Sequence, residues 1–299
     1  MLLLDRHAVP DTYQAAERLD VYLMGVWAAL PTRKGIQKAL KRGAISLNDR
    51  PLTSAHRVKA GEVYQLWEAY ERPGVRDYRF QHQLVFEDAY LAVLHKPAGW
   101  VVSGNSFKTI QNCLRFSLQA SPLPDALSWP RPVHRLDAPT SGLLLVAKAK
   151  ATHTALGRQF ADRQIKKTYR AIATGYLPDG GSFHSPIEGR SAHTTYTTTR
   201  RVPSLRNGHL SLLRIGLHTG RTHQIRRHFA QHGYALFGDQ RYGRAGEVFR
   251  GKGLMLAATG LRFRHPGSGV DMELTLPIPR KFESLLRREE RRWQRHRGG

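Results

Sequence analysis

Between residues 16 and 70 the apolar positions change period twice. Leu19, Leu23, Val26, Trp27 and Leu30 recur at helical spacing until Pro31 stops the pattern, which predicts a helix with one buried face. Thr32 stands where a second helix needs its cap. That helix runs to about Arg42, with Gly43 suited to its C-terminal end. "AISL" then reads as a strand and Asn48-Asp49 as its turn. In "ERPGVRDYRF", Pro73 and Gly74 break any regular element amid mixed charge, as an interdomain connection does. Beyond it, "LVFEDAYLAVLHKPAGW" holds two apolar strands around Asp88-Ala89-Tyr90 and ends in a corner at Lys96-Pro97-Ala98-Gly99. Leu143 to Val146 forms a buried strand, "KKTYRAIATG" alternates like a strand, and Thr222 caps a helix through about His232 that Gly233 ends. Strands and helices intermix without regular βαβ alternation. The expected class is therefore α+β, with a mixed, mostly antiparallel sheet domain preceded by a small α/β domain. The boundaries expected are 1–72 for the small domain, 73–80 for the linker, 81–278 for the sheet domain and 279–299 for a basic tail. The tail's "RREERRWQRHRGG" is helical at most through Trp293 and is expected as a loosely ordered electrostatic contact.

Charge narrows the partners. The 47 Lys and Arg against 23 Asp and Glu leave +24, spread along the chain and well beyond what solubility requires, so a polyanion is the natural partner. A membrane surface would want an apolar anchor or a basic amphipathic helix, and the longest apolar runs, such as Leu143 to Ala147, are short. The opening "MLLLDRHAVPD" has three leucines before Asp5 and Arg6, too few for a secretory signal, and a cytosolic protein is expected. Cys113 is the single cysteine; it can form neither an internal disulfide nor a cysteine-based zinc site by itself.

The candidate chemistry centres on "PVHRLDAPTSGLLLVAK". Asp137 follows His134 and Arg135, and strong turn signals separate it from the buried strand, so it sits on a loop. Locally, such an aspartate most often bonds backbone amides. Tyr169 alone reads as a core aromatic. Arg221 stands where the later helix begins and could reach a carboxylate in a two-pronged pair. Arg33, Lys34, Lys38, Lys41 and Arg42 have no acidic neighbour inside their helix; they form either a solvated face or a polyanion contact. His223, His228 and His232 invite a metal, but only the last two share a helical face. No carboxylate or cysteine lies at zinc-site spacing, so no metal is expected. A glycoside hydrolase would need two carboxylates, whereas one stands out here and Asp239 reads as structural.

Two resemblances add to this reading. The stretch from residue 16 to 70, with its basic helix, "LNDRPL" and "VKAGEVYQL", resembles the small RNA-binding module named after a small-subunit ribosomal protein. That resemblance implies a basic helix packed against structured RNA. From about 80 to 275, "HKPAG", "HRLDAPTSGLLLVAK", "KTY", "TGRTHQIRRHFAQHGYALFGD" and "LMLAATGLRFRHP" resemble, in order, the blocks of the RluA-like RNA pseudouridine synthases. The resemblance implies the pseudouridine synthase fold and isomerisation of uridine in structured RNA without a cofactor. It makes Asp137 essential, as nucleophile at C1′ or as base at the 2′ position. It assigns Arg221 to hold Asp137 ionised, Tyr169 to stack on the target base, and Arg135 to fill the gap left by the extruded nucleotide. His134 is a second RNA-contact candidate, with a hydrogen-bonded loop histidine as the alternative; Ile225 and Leu236 are candidates for the pocket wall. Ala138-Pro139 and Ala235-Leu236 depart from the family's usual residues. Large-subunit ribosomal RNA is the expected substrate, transfer RNA the second, and the chain is expected to be a monomer. An RNA-binding or ribosome-assembly factor without chemistry is the alternative function.

Overall fold

The computed structural model describes residues 3–67, 83–104, 108–243, 251 and 253–298. The chain forms two compact units, Met1–Asp77 and Tyr78–Gly299. The connection expected around Pro73 and Gly74 lies outside the described residues.

The first unit contains β1 (Leu3–Ala8), α1 (Leu19–Tyr22), α2 (Arg33–Lys41), β2 (Ile45–Leu47), β3 (Arg50–Pro51) and β4 (Val63–Trp67). Its strands form an antiparallel sheet in the order β1-β4-β2-β3. Thr32 caps α2 as its position requires, Oγ1 accepting from the Gly35 amide at 3.1 Å. The first helix is shorter than its apolar spacing suggests. Gly25 takes φ 79° and the helix stops after one turn, although Leu23 and Trp27 stay buried. The basic helix is also less free than its sequence implies, because fully buried Asp20 accepts from Arg33 Nε at 3.0 Å and from Gln37 Nε2 at 2.6 Å. Burial would raise the Asp20 pKa; the Gln37 and Arg33 hydrogen bonds outweigh it and hold the carboxyl below its ordinary value. Arg33 thus anchors α2 to α1 while remaining half exposed, and Lys34, Lys38, Lys41 and Arg42 are exposed along the same helix.

The second unit runs β5 (Gln83–Glu87), β6 (Leu91–Lys96), α3 (Ile110–Ser117), β7 (Ala126–Pro132), β8 (Ser141–Ala149), α4 (Lys150–Ala161), β9 (Lys166–Thr174), β10 (Gly180–Phe183), β11 (Thr194–Ser204), β12 (Gly208–Leu217), α5 (Gln224–Gln231), β13 (Leu256–Arg264), β14 (Asp271–Thr275) and α6 (Arg280–Arg297). Ten strands form one sheet, with the path β10-β11-β12-β9-β13-β8-β6-β5; β14 adds to β13, and β7 to β8. The class is the mixed, mostly antiparallel α+β expected. Among the described pairs only β8·β13 is parallel, and it joins an antiparallel half on each side. That joint matters for position. Ala258 on β13 stands opposite Gly142 on β8 and opposite Tyr169 on β9, so the start of β8 and the middle of β9 share one level of the sheet. No helix among the described residues is long and apolar enough to cross a membrane.

The C-terminal segment is a docked helix rather than a loose tail. Phe282, Leu285, Leu286 and Glu289 recur at three- and four-residue intervals and are buried. The apolar three pack on Ile172, Val202, Leu210, Leu212 and Met255. Glu289 accepts from Ser204 Oγ at 2.8 Å, and Arg200 bridges Glu283 and Glu290. High charge hid an apolar stripe of only three residues, Phe282, Leu285 and Leu286. Phe282→Ala is expected to destabilise the protein by about 3–5 kcal/mol in urea unfolding, the usual result of emptying a buried phenylalanine site. Arg297→Ala, at an exposed position, should stay within about 0.5 kcal/mol of wild type.

Candidate active site

Asp137 is fixed from both directions along its own backbone. Upstream, His134 Nε2 accepts from the Leu145 amide at 3.0 Å and its ring packs on Phe160, 5.1 Å between centroids. Burial, helped by the Lys167 charge, pushes the imidazole down to about 3, so the ring is a neutral acceptor held in the fold, as the alternative reading of a hydrogen-bonded loop histidine describes. Downstream, the Ala138 carbonyl accepts from the Gly99 amide at 2.7 Å and from Lys96 Nζ at 3.1 Å. Fully buried Lys96 also donates to the carbonyls of Pro97 and Trp100. Burial lowers its pKa to about 8, opposed in part by the Asp137 charge. Gly142 sits at φ 122° where a Cβ would lie 2.1 Å from the Ala258 carbonyl, so only glycine permits the β8·β13 joint there. The Asp137 side chain, 19% exposed, is left facing a cleft of about 720 Å³.

The guanidinium beside Asp137 belongs to Arg226, not Arg221. Arg226 Nη1 lies 3.7 Å from Asp137 Oδ2, while Nε and Nη2 form a two-pronged pair with Asp239, both at 2.8 Å. Burial would depress the Arg226 pKa, but the Asp239 hydrogen bonds, then the charges of Asp239 and Asp137, raise it above the ordinary arginine value. Asp239 in turn is almost fully buried and accepts from the amides of Arg241 and Tyr242. Its burial would raise its pKa, and Arg226 more than reverses the effect. Asp137 Oδ1 lies 3.7 Å from His223 Nε2.

Arg221 is elsewhere because α5 starts later than its capping signal suggests. The residue at the cap is His223 in a left-handed conformation, φ 56° and ψ 28°, and not Thr222. Gln224 then ties the preceding loop: Oε1 accepts from Thr219 Oγ1 and the Arg221 amide, and Nε2 donates to the His193 carbonyl and Thr194 Oγ1. Arg221 lies outside the helix with Nε donating to the Ser191 carbonyl at 3.0 Å.

The remaining predicted residues divide between cleft and core. Arg135 is exposed and lines the cleft with Asp137, Val102, His223, Arg226 and Leu254. Ile225 and Leu236 are buried beneath it in the core that contains Tyr169 and Leu136; Leu136, Val102 and Leu254 supply the apolar lining instead. Tyr169 is 6% exposed and also belongs to this core; burial, and then the Asp137 charge, push its hydroxyl pKa up and keep it protonated. Three neighbours of Asp137 went unrecognised in the sequence: Lys96, His223 and Arg226. Arg226 carried a signal, since an arginine between Ile225 and Phe229 on an apolar helix face needs a carboxylate, and Asp137 and Asp239 were both available.

Asp239→Asn leaves Arg226 buried with half its fork, and a loss of about 3–5 kcal/mol in chemical unfolding is expected. For His134 the folded pKa of about 3 lies below the unfolded 6.5. Its contribution to stability is therefore complete above pH 6.5 and declines as the pH falls toward 3. Unfolding curves of His134→Gln should show a flatter dependence over that range than wild type.

Comparison with known proteins shows the family. The family model described as RNA pseudouridylate synthase matches residues 90–231. The chain is 31% identical over 296 residues to an uncharacterized RNA pseudouridine synthase of Aquifex aeolicus, covering 90% of this chain and 92% of that protein. It is 32% identical over 301 residues to the ribosomal large subunit pseudouridine synthase D of Zymomonas mobilis, covering 90% and 93% respectively. The structure of human RNA pseudouridylate synthase domain containing 1 superposes with a TM-score of 0.56 at 25% identity, over 70% of this chain and 87% of that one. With an anionic side chain beside a buried arginine in a cleft, and with relatives alike over nine-tenths of its length, the chain belongs to the RluA-like RNA pseudouridine synthases.

Proposed function

We propose that the protein isomerises uridines of large-subunit ribosomal RNA, with Asp137 as the catalytic carboxylate. One observation supports the site above others: Asp137 faces the cleft with Arg226 on one oxygen and His223 on the other, each at 3.7 Å. The reaction breaks the N1–C1′ bond and forms C5–C1′; C5 gives up a proton and N1 gains one, so no oxidant or energy source is consumed. Arg226 places a positive charge 3.7 Å from Asp137 Oδ2, whether the carboxylate attacks C1′ or removes the 2′ proton. Tyr169 stays protonated, so it serves by packing on the detached uracil and by donating, not as a base.

The target atoms are shielded inside a stack, so the uridine must leave it, at a cost of a few kcal/mol. Arg135, exposed at the rim of the cleft, is placed to stack in the gap. Lys34, Lys38, Lys41 and Arg42 are read as phosphate contacts of an RNA-binding first unit, which makes binding fall steeply with salt. The ribosomal substrate rests on the relative named ribosomal large subunit pseudouridine synthase D and on the net charge of +24.

The test is a nucleotide-resolution map of pseudouridine in ribosomal and transfer RNA from a deletion strain carrying wild type or Asp137→Ala. Wild type should restore sites in large-subunit RNA, and Asp137→Ala should restore none while binding RNA as before. Sites restored only in transfer RNA would overturn the substrate. Equal restoration by both proteins would overturn the role of Asp137, and binding without any product would make this an RNA-binding factor.

A further inference from the structure

His223 occupies a position that its local structure does not explain. It stands at the cap of α5, where Ser, Thr, Asp or Asn would ordinarily accept from the first turn, yet its side chain makes no capping bond. It takes φ 56°, a conformation that favours Gly or Asn. The ring is turned to other partners: Nδ1 lies 2.9 Å from the Tyr242 hydroxyl and Nε2 lies 3.7 Å from Asp137 Oδ1.

The hydrogen-bond pattern favours one tautomer. Arg227 Nε can only donate, and it donates to the Tyr242 oxygen at 3.0 Å. The phenol proton is then best directed to His223 Nδ1, which puts the ring's own proton on Nε2, facing Asp137. Burial lowers the His223 pKa; the Asp137 charge opposes this, and Arg226, Arg241 and Arg227 reinforce it, so the neutral ring prevails at neutral pH. The groups facing the ring are thus Asp137 from the loop before β8, Arg226 and Arg227 from α5, and Arg241 and Tyr242 from the segment after Asp239.

We propose that His223 is a positioning residue for Asp137: with its Nε2–H tautomer favoured by Tyr242, it faces Oδ1 while Arg226 faces Oδ2, each at 3.7 Å, and the two together restrict rotation of the carboxylate. The inference rests on the function proposed above. Two donors on different oxygens define a plane that a single cation leaves free to rotate. A neutral donor does so without a second positive charge, which would withdraw reactivity from Asp137. Protonation of His223 would add that charge, so activity should fall as the ring titrates.

Single-turnover rates and RNA affinity would be measured for the full chain across pH 5 to 9, on an RNA that wild type modifies. His223→Leu keeps bulk without a donor and should lose about 100-fold in rate at pH 8 with RNA affinity unchanged, the usual effect of removing one oriented donor. His223→Gln restores an N–H near the Nε2 position and should recover most of that loss. It should also extend activity to lower pH, because no imidazole remains to protonate. Tyr242→Phe removes the bond that favours neutral Nδ1, so its loss of activity in acid should begin at higher pH than in wild type. Equal rates in wild type and His223→Leu would overturn the proposal. So would equal losses in the Leu and Gln variants with the acid limb unmoved, since that pattern marks a merely structural histidine. If the His223 variants do not fold, Tyr242→Phe decides alone: an unmoved acid limb overturns the proposal. Absence of product with wild type itself would overturn the function on which the proposal rests.

Discussion

The second unit is organised around one buried guanidinium shared between two carboxylates. A desolvated arginine is tolerated only when hydrogen-bonded anions compensate it, and Asp239 does so with both oxygens at 2.8 Å. That pair sets the orientation of Arg226, and the remaining nitrogen, Nη1, points to Asp137. Because Asp239 also accepts from the amides of Arg241 and Tyr242, the same carboxylate shapes the loop that brings Tyr242 against His223. Gly238 is required next to it, since a Cβ there would lie 2.0 Å from the Gly253 carbonyl. The cleft is therefore a consequence of how one ion pair is buried.

The sheet supplies the second constraint. A parallel joint needs its two strands to enter from the same end, and β8·β13 is the place where the two antiparallel halves meet. Segments at that end come from distant parts of the chain, which is why residues 98–103 and 135–139, His223 with Arg226, and residues 238–241 contribute to one space. Lys96 contributes by gathering three carbonyls, one of them on the residue after Asp137. The aspartate is aimed by backbone that is itself held from another strand.

The sequence was legible wherever one local signal decided the outcome. Thr32 caps α2, Gly43 follows it at φ 71°, and Asn48 and Asp49 take the positive φ that a tight hairpin needs. The strands around Asp88 form as their apolar runs imply. Legibility failed where tertiary partners decide. Thr222 looked like the cap because caps are read locally, but Gln224 ties the loop through residues 193 and 194, far along the chain. That displacement put Arg221 outside the helix and Arg226 on its buried face. The partners that tie His134 and Arg33 into the fold, the Leu145 amide and Asp20, lie 11 and 13 residues away, where no local pattern reveals them. The C-terminal helix was obscured by its own charge: six arginines among residues 287–297 mask the few apolar positions that bury it.

Charge around Asp137 is distributed unequally, and the inequality bears on the chemistry of the cleft. Tyr169 is driven toward its neutral form by burial and by the Asp137 charge, and His223 by burial and three arginines. Lys96, lowered to about 8, is moved in the same direction. Asp239 remains an anion but has its oxygens taken up by Arg226 and two amides. Asp137 differs from all of these, because its oxygens lie 3.7 Å from Arg226 and His223, beyond hydrogen-bonding distance. A carboxylate compensated by charge but incompletely hydrogen-bonded retains the capacity to form a new bond to carbon or to a proton.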